Sequence, residues 1–443
     1  MRLPILLMGC LFAFASPGWA VDSPWPQFRG PDGNGIAPRT KAPTTWSEDQ
    51  NITWKTELPG KGWSSPVVAD GLLWVTTAIE EYPTDEEAQK LYEKKGTNPD
   101  HIKQRQIAKR ITLRLYAIDM KSGESRKERD LFVIDEPEPI HKFNSYASPT
   151  PVVDGDKIYC HFGTFGTVCL LREDLSEVWS RTIPLDHAVG PGSSPIVHGD
   201  LLILICDGCD QQYVQALDKN SGESAWRTDR PPMDAPDGDR KKAFDTPIVA
   251  VDENGREQVI CMGSQWIVAY APKTGEELWK VRHGDGFSVV PRPVVGNGMV
   301  FFSTGFGRPE LWAVRIDGEG DVTESHVVWK EQKRIPAKPS PLLIDDLLYI
   351  IDDKGIATCF DADDGTVIWT ERVPGNYSAS PLFADGKIYY GNEEGKVTVI
   401  RPSQSYDELA VNQIDGQIMA SPIAVDDALY LRSDRALYRI DAK

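Results

Sequence analysis

The chain lacks the sequence motifs of several large enzyme classes. Its 443 residues include only seven histidines and seven cysteines. They contain no H-E-x-x-H metalloprotease motif, no G-x-S-x-G nucleophile elbow and no phosphate-binding P-loop. A covalent c-type haem is excluded as well, because no C-x-x-C-H segment is present. No residue is therefore predicted to be catalytic or to bind a metal.

Positive charge is scarce relative to negative charge. Lysine and arginine total 48 against 66 aspartate and glutamate residues, which gives a net charge of −18. An acidic surface repels phosphate backbones, so nucleic acid is not expected as a partner.

Long apolar runs are missing beyond the first residues. Arg2, the apolar run at 3–15 and the small residues Gly18 and Ala20 predict a secretory signal peptide over 1–20, cleaved near Ala20. No later run is long enough to span a membrane as a helix. We therefore expect a periplasmic or secreted protein.

The cysteines beyond the signal allow two interpretations. Cys160 with Cys169, and Cys206 with Cys209, are spaced so that each pair could form a disulfide in an oxidising compartment. Buried free thiols are the alternative, because unpaired cysteine packs as a small hydrophobic residue. The sequence leaves this choice open.

One short phrase recurs eight times in the chain. A proline opens an apolar run, a turn of Asp, Gly or Asn follows, and a second apolar run ends in most copies at an aromatic residue. The copies begin at Ser65, Thr150, Ser194, Thr246, Arg292, Ser340, Ser380 and Ser421. Each hairpin has an apolar face that it cannot bury alone, and a spacing of about 40–45 residues is typical of propeller blades. The repeat predicts an all-β, eight-bladed β-propeller of four-stranded antiparallel blades.

A second motif, Ala-x-Asp-x-x-Ser/Thr-Gly-x-x-x-Trp, follows the hairpin in several units. It is complete from Ala216 to Trp226, whereas Lys127 replaces the tryptophan in the first unit. The aspartate caps a tight turn, the glycine adopts a positive φ, and the tryptophan falls on the outermost strand. We expect this tryptophan to wedge between adjacent blades.

The two ends of the chain complement each other. The last unit stops before any tryptophan-bearing strand, and Trp54 lies on a predicted strand ahead of the first unit. We therefore expect the N-terminal strand to close the ring as the outermost strand of the last blade. The predicted organisation is an irregular strap over 21–50 and a propeller over 51–443.

A charged insertion over 79–110 interrupts the first unit. Thr84 with Glu87 forms a capping box, and Asn98-Pro99 marks a second helix start, so two short helices are expected on one face. The insertion is either a lid or docking element or a solvated decoration.

A candidate binding site follows from the phase of the repeat. Segments just before the marker prolines enter the innermost strands, so they should converge on one mouth of the central channel. They supply aromatic and polar side chains, and such a funnel is the default binding-site hypothesis. These candidate ligand-binding residues are Trp63, His141, Asn144, Tyr146, Phe244, Asp245, Arg292, Lys338 and Tyr377. The alternative is that they only plug the channel.

The two repeated motifs resemble those of the eight-bladed propellers of quinoprotein dehydrogenases, which bind pyrroloquinoline quinone (PQQ). They are equally similar to BamB-type propellers, which share the fold without the cofactor. The resemblance covers residues 51–443. For a dehydrogenase it implies a quinone stacked between a tryptophan and a disulfide of adjacent cysteines, calcium held by Glu and Asn, and an Asp base. The chain has no adjacent cysteine pair, and strand order predicts that Cys206 and Cys209 lie on the face opposite the mouth.

The functional hypothesis is a binding or scaffold protein in the cell envelope. It is expected to be a monomeric ring without a cofactor, with an envelope protein or a glycan as partner. The alternative is a soluble alcohol or sugar dehydrogenase that depends on PQQ with calcium.

Overall fold

The computed structural model describes residues 24–37 and 40–442. The predicted signal peptide lies outside these residues. Among the helices within them, none combines the length and apolar character needed to cross a membrane.

The strands form eight sheets of mainly antiparallel, four-stranded topology, so the predicted propeller is confirmed. First strands of neighbouring blades contact one another around the centre. In blades 1 to 4 the strands are Val67–Ala69, Leu72–Glu81, Arg110–Asp119 and Ser125–Asp135; Val152–Asp154, Lys157–His161, Thr167–Leu171 and Glu177–Arg181; Ile196–His198, Leu201–Asp207, Gln212–Asp218 and Ser224–Asp229; Ile248–Val251, Glu257–Met262, Trp266–Tyr270 and Glu277–Arg282.

The remaining blades follow the same order, except that the outermost strand of blade 8 comes from the N-terminal part of the chain. In blades 5 to 8 the strands are Val294–Gly296, Met299–Ser303, Leu311–Arg315 and Val327–Glu331; Leu342–Ile344, Leu347–Ile351, Ile356–Asp361 and Val367–Arg372; Leu382–Ala384, Lys387–Gly391, Lys396–Ile400 and Glu408–Gln413; Ile423–Val425, Ala428–Arg432, Ala436–Asp441 and Ile52–Glu57. Short strands Ile36–Ala37 and Gly320–Asp321 add parallel pairs to blades 7 and 4.

The ring closes as the sequence predicts. Ile52–Glu57 pairs antiparallel with Ala436–Asp441, and Trp54 lies opposite Arg439. The predicted closure of the last blade by the N-terminal strand is therefore confirmed.

Tryptophans on outermost strands join each blade to the next, as expected. The indole N–H donates to a backbone carbonyl of the following blade, 2.9–3.1 Å away. The pairs are Trp54 to Met120, Trp179 to Lys219, Trp226 to Pro272, Trp329 to Ala362 and Trp369 to Ser403. The motif glycine makes this approach possible, because a Cβ on Gly222 would lie 2.6 Å from the Trp179 ring.

Blades 1 and 4 lack the direct indole bond, but the equivalent backbone carbonyl of the next blade still accepts a hydrogen bond. The Lys127 ammonium donates to Arg172 O at 2.8 Å, at the position where other blades use an indole. Trp279 donates to the Gln258 side chain at 2.6 Å, and Gln258 in turn donates to Ile316 O at 2.9 Å. Three kinds of donor therefore bind the carbonyl at this position in different blades: an indole N–H, a lysine ammonium and a glutamine amide.

Blade 7 has no tryptophan on its outermost strand, and the strap supplies one. Ala410 occupies the strand position opposite Val399, where other blades place their tryptophan. Trp46 stacks on Tyr389 with ring centroids 6.4 Å apart, close to the 6.0–6.1 Å of the Trp–Tyr pairs in other blades. The Tyr389 hydroxyl donates to Pro43 O at 2.9 Å. Trp46 Nε1 has no hydrogen-bond partner among the described residues, and the strap reaches blade 8 instead through Lys41 N, which donates to Asp426 O at 3.0 Å.

The insertion joins the second and third strands of blade 1. It contains the α-helix Asp85–Lys94 and the 3₁₀ helix Pro99–Gln104, each starting at its predicted cap. A further segment, Arg105–Gln106, pairs with Ile140–His141 and fixes the end of the insertion to the loop that precedes blade 2.

Replacing Trp46 by alanine should lower the free energy of unfolding by about 3–5 kcal/mol, as expected for removal of a buried tryptophan. Trp46 is only 4% exposed. Denaturant unfolding measures the change, with the half-buried Trp63→Ala as the control that removes an indole outside the blade junctions. Equal losses in the two variants would contradict the role of Trp46 in packing on blade 7.

Candidate functional site: the channel mouth and a neighbouring cavity

A belt of hydroxyl groups marks one mouth of the channel. At six of the eight marker prolines, the preceding residue donates its backbone N–H to the hydroxyl at the same position of the next blade, over 2.9–3.2 Å. The links run from Ser65 to Thr150, Thr150 to Ser194, Ser194 to Thr246, Arg292 to Ser340, Ser340 to Ser380 and Ser380 to Ser421. This belt explains why the repeat favours Ser or Thr before the proline, a preference that the sequence analysis did not interpret.

Arg292 interrupts the belt and reaches into the channel. Its guanidinium donates to Phe28 O and, at 2.7 Å, to Pro247 O. Burial lowers the pKa of Arg292 to about 10. A second arginine from the strap, Arg29, donates to Pro341 O at 2.7 Å, and burial together with Arg292 lowers its pKa to about 9.

The strap itself lies against the first strands that surround the channel. Trp25 O accepts from Val68 N, Pro26 O from Val153 N and Gly35 O from Phe383 N, at 2.8–2.9 Å. These contacts of the strap reach blades 1, 2 and 7, and its contacts through Arg29 and with Arg292 add blades 6 and 5. The central channel is therefore filled by the chain's own N-terminal segment.

Asp245 lies at this level and is fully buried. Its Oδ2 accepts from Met262 N at 2.9 Å. Burial raises the pKa of Asp245 well above its usual range, although Arg292 and Arg230 act in the opposite direction.

Most other predicted mouth residues use their polar atoms to hold loops. Asn144 Nδ2 donates to Val189 O at 2.9 Å, the Tyr146 hydroxyl to Glu138 O at 3.1 Å, and Trp63 Nε1 to Phe143 O at 3.0 Å. These three side chains therefore position the loops between blades 1, 2 and 3.

The remaining predicted residues fall into separate surroundings. Lys338 lies 2.9 Å from Glu393 and 3.7 Å from Asp353, on the opposite side of the ring. Tyr377 and Phe244 are buried, and Phe244 packs against Gly192. The structure thus places the candidates around one mouth without gathering them into a single cluster.

A cavity of about 420 Å³ lies beside the mouth, between the insertion and loops of blades 2 and 3. Its walls include Lys95, Arg105, Glu138, Phe165, Asp186 and His187. The pairing of the insertion with His141 brings these loops together, and Arg105 Nη1 donates to Ala188 O. The residues of this cavity were not predicted from the sequence. The only sequence feature that pointed to this region was the charged insertion over 79–110.

Two histidines near this cavity have lowered pKa values. His187 Nε2 accepts from Thr164 N at 3.1 Å, and burial lowers its pKa to about 4. Burial, with the positive charges of Arg105, Lys142 and Lys242, lowers the pKa of His141.

The six cysteines of the described residues are free thiols. Cys169 lies opposite Tyr159 and Cys160 opposite Val168, so the two sulfurs face opposite sides of blade 2. Burial raises the pKa of Cys206 and of Cys209 to about 12.

The prediction that Cys206 and Cys209 lie on the face opposite the mouth is wrong. Cys206 is near the end of the second strand of blade 3, and second strands end on the face where first strands begin. Ala243, in the segment leading to a marker proline, donates to Asp207 O at 3.2 Å. The error came from assigning the turn after the second strand to the wrong edge of the blade.

The described residues do not fit a quinone with calcium. The strap with its Arg29, together with Arg292 of blade 5, occupies the channel where a quinone would lie. Within 24–37 and 40–442 no group of three or more His, Cys, Asp or Glu is arranged to hold a metal ion.

Comparisons with known proteins agree with this fold. A family model described as outer membrane protein assembly factor BamB matches residues 39–228, 114–371 and 210–443. No curated protein matches the chain in sequence.

Solved structures of two kinds are similar. BamB from Moraxella catarrhalis is 13% identical with a TM-score of 0.52, over 83% of this chain and 99% of that one. A europium-containing methanol dehydrogenase is 11% identical with a TM-score of 0.65, over 93% and 89%. Quinohemoprotein alcohol dehydrogenase from Comamonas testosteroni is 12% identical with a TM-score of 0.63, over 96% and 82%. At these identities the likeness concerns the fold alone.

Buried histidines should make the protein less stable in acid. Burial lowers the pKa of His283 to about 4 from 6.5, so the unfolded chain binds its proton first. The free energy of unfolding should therefore decrease as the pH falls from 6.5 towards 4. His283→Gln should reduce this slope in denaturant unfolding at pH 7, 5.5 and 4.5.

The control is His101→Gln, which changes an exposed histidine. Its slope should match that of the unmodified protein. If the pH dependence of the free energy of unfolding were unchanged in His283→Gln, His283 would not be a source of the acid sensitivity.

Proposed function

The chain belongs to the family of the outer membrane protein assembly factor BamB, and from that premise we propose that it is a binding or scaffold propeller of the cell envelope. The signal-like segment over 1–20 supports an extracytoplasmic location. The family description points to work on other macromolecules rather than to chemistry on a small substrate.

The filling of the channel carries this proposal. Arg29 and Arg292 hold carbonyl groups of blades 4, 6 and 7 and of the strap. A cofactor entering here would have to displace both guanidinium groups and leave buried carbonyls without partners, which is costly. The ligand-accessible surface is therefore formed by the loops around the mouth.

Those loops carry features suited to a partner. Phe143 is 70% exposed beside Trp63, and Lys61 Nζ lies 5.2 Å from the Trp63 ring centroid. Aromatic side chains next to cations are common among residues that dominate binding surfaces. With a net charge of −18, protein or glycan partners suit the molecule better than nucleic acid.

Titration with PQQ tests the proposal against the dehydrogenase alternative. The purified full chain is mixed with PQQ and either calcium or europium, and thermal stability and dye reduction with a panel of alcohols and sugars are recorded. A ligand that binds only the native state raises the melting temperature. Because the strap occupies the channel, we expect no such increase at micromolar PQQ. A PQQ-dependent methanol dehydrogenase is the positive control.

Saturable quinone binding with alcohol- or sugar-dependent dye reduction would overturn the proposal. The variant Arg292→Ala locates any such binding, because a quinone in the channel should bind this variant with altered affinity. A response unaffected by Arg292→Ala would place the quinone outside the channel.

A further inference from the structure

We propose that the cavity between the blade 1 insertion and blades 2 and 3 binds one saccharide unit of an uncharged glycan. This inference rests on the proposed binding function and names the ligand class for one site on the mouth face. No comparison assigns a ligand to this cavity.

The size and position of the cavity suit a small ligand that is part of a longer chain. Its volume of about 420 Å³ lies within the range of about 300–1,000 Å³ typical of small-molecule sites. It lies beside the filled channel, at the rim of the mouth face, so a glycan chain could continue into solvent.

The charges around the cavity balance, which argues against an anionic or cationic ligand. Lys95 Nζ lies 2.7 Å from Glu138 Oε1. The Arg105 guanidinium donates to Ala188 O, and Asp186 contributes a second carboxylate to the walls. The walls thus hold two cations and two carboxylates, of which Lys95 and Glu138 form an ion pair. The hydroxyl groups of a sugar can donate to the carboxylates and accept from the cations.

An aromatic wall completes this polar frame. Phe165 is half-buried and meets the buried Tyr146 edge-on, with ring centroids 5.4 Å apart at 68°. Phe165 also lines the cavity. The C–H groups of a pyranose ring can pack on such a ring while its hydroxyls reach polar groups.

His187 is a neutral polar residue of the cavity wall. Its Nε2 accepts from Thr164 N, and its Nδ1 is buried without a hydrogen-bond partner among the described residues. Because burial lowers the pKa of His187 to about 4, the ring is neutral at pH 7. The ring therefore adds no charge to the wall.

The walls are held in place without a ligand. Ala188 adopts a φ of +52°, which L-residues rarely adopt, and its N–H donates to Asp186 Oδ1 at 2.9 Å. Asp186 N donates to Asp210 Oδ1, also at 2.9 Å. A preorganised loop loses little conformational entropy on binding.

Calorimetric titration of the full chain tests the site. The probes are glucose, galactose, N-acetylglucosamine, maltose and cellobiose, with inorganic phosphate and acetate as charged probes. We expect at least one saccharide to bind with a Kd of about 1 mM or tighter. Glu138→Gln and Phe165→Leu should each weaken that binding about tenfold, through loss of a charged acceptor or of the aromatic face.

Matched controls carry the same substitutions outside the cavity. Glu93→Gln changes an exposed carboxylate on the insertion helix, and Phe306→Leu changes an exposed ring of blade 5 on the same face, outside the cavity and the proposed partner surface. Both should leave the Kd unchanged. If Phe165→Leu fails to fold, as judged by circular dichroism, Glu138→Gln decides the result, because Glu138 is exposed.

Three results would overturn the inference: no saccharide binding, binding of phosphate or acetate in its place, or saccharide binding that the wall substitutions leave intact. The quinone titration separates this from the proposed function. Saccharide binding that is lost in the wall variants, together with PQQ-dependent oxidation, would keep the site and overturn the scaffold proposal. Absence of both saccharide and quinone binding would overturn only the site.

Discussion

The ring depends on a contact at the blade junctions, where a side chain of the outermost strand in six blades donates to a backbone carbonyl of the next blade. A four-stranded blade cannot bury both of its faces alone, and the tryptophan covers one face while its indole N–H fixes the neighbour's turn. Lys127 and the Trp279–Gln258 pair reach the same carbonyl position by other routes. From blade to blade, the position of the accepting carbonyl therefore varies less than the type of residue that donates to it.

The strap has two roles in this ring. Its first half fills the channel, where Arg29 and Arg292 satisfy carbonyl groups of several blades. Its second half brings Trp46 to blade 7, whose own outermost strand lacks a tryptophan. One segment thus occupies the central channel and packs on the blade that lacks its own tryptophan. Binding is therefore left to the loops of the mouth face. The cavity beside the insertion lies on that face.

Much of the candidate site was not predictable from residue types alone. The repeat placed Asn144, Tyr146 and Trp63 near the mouth, but their polar atoms hold backbone carbonyls. Arg105, Glu138 and His187 belong to three different segments of the chain, and no local pattern relates them. The assignment of Cys206 and Cys209 to the wrong face shows the same limit, because it required knowing at which edge of the blade a turn falls.

The sequence by itself determined the number of blades, the strand that closes the ring and the tryptophan wedge. These depend on short-range rules, namely strand alternation, turn residues and a regular spacing, that repeat along the chain. Only the tertiary structure decided where the strap lies, that the cysteines are free and which loops enclose a cavity. Those features depend on contacts between segments far apart in the chain, such as Arg29 with Pro341 and Arg105 with Ala188. Such contacts carry no periodic signal, because each occurs once.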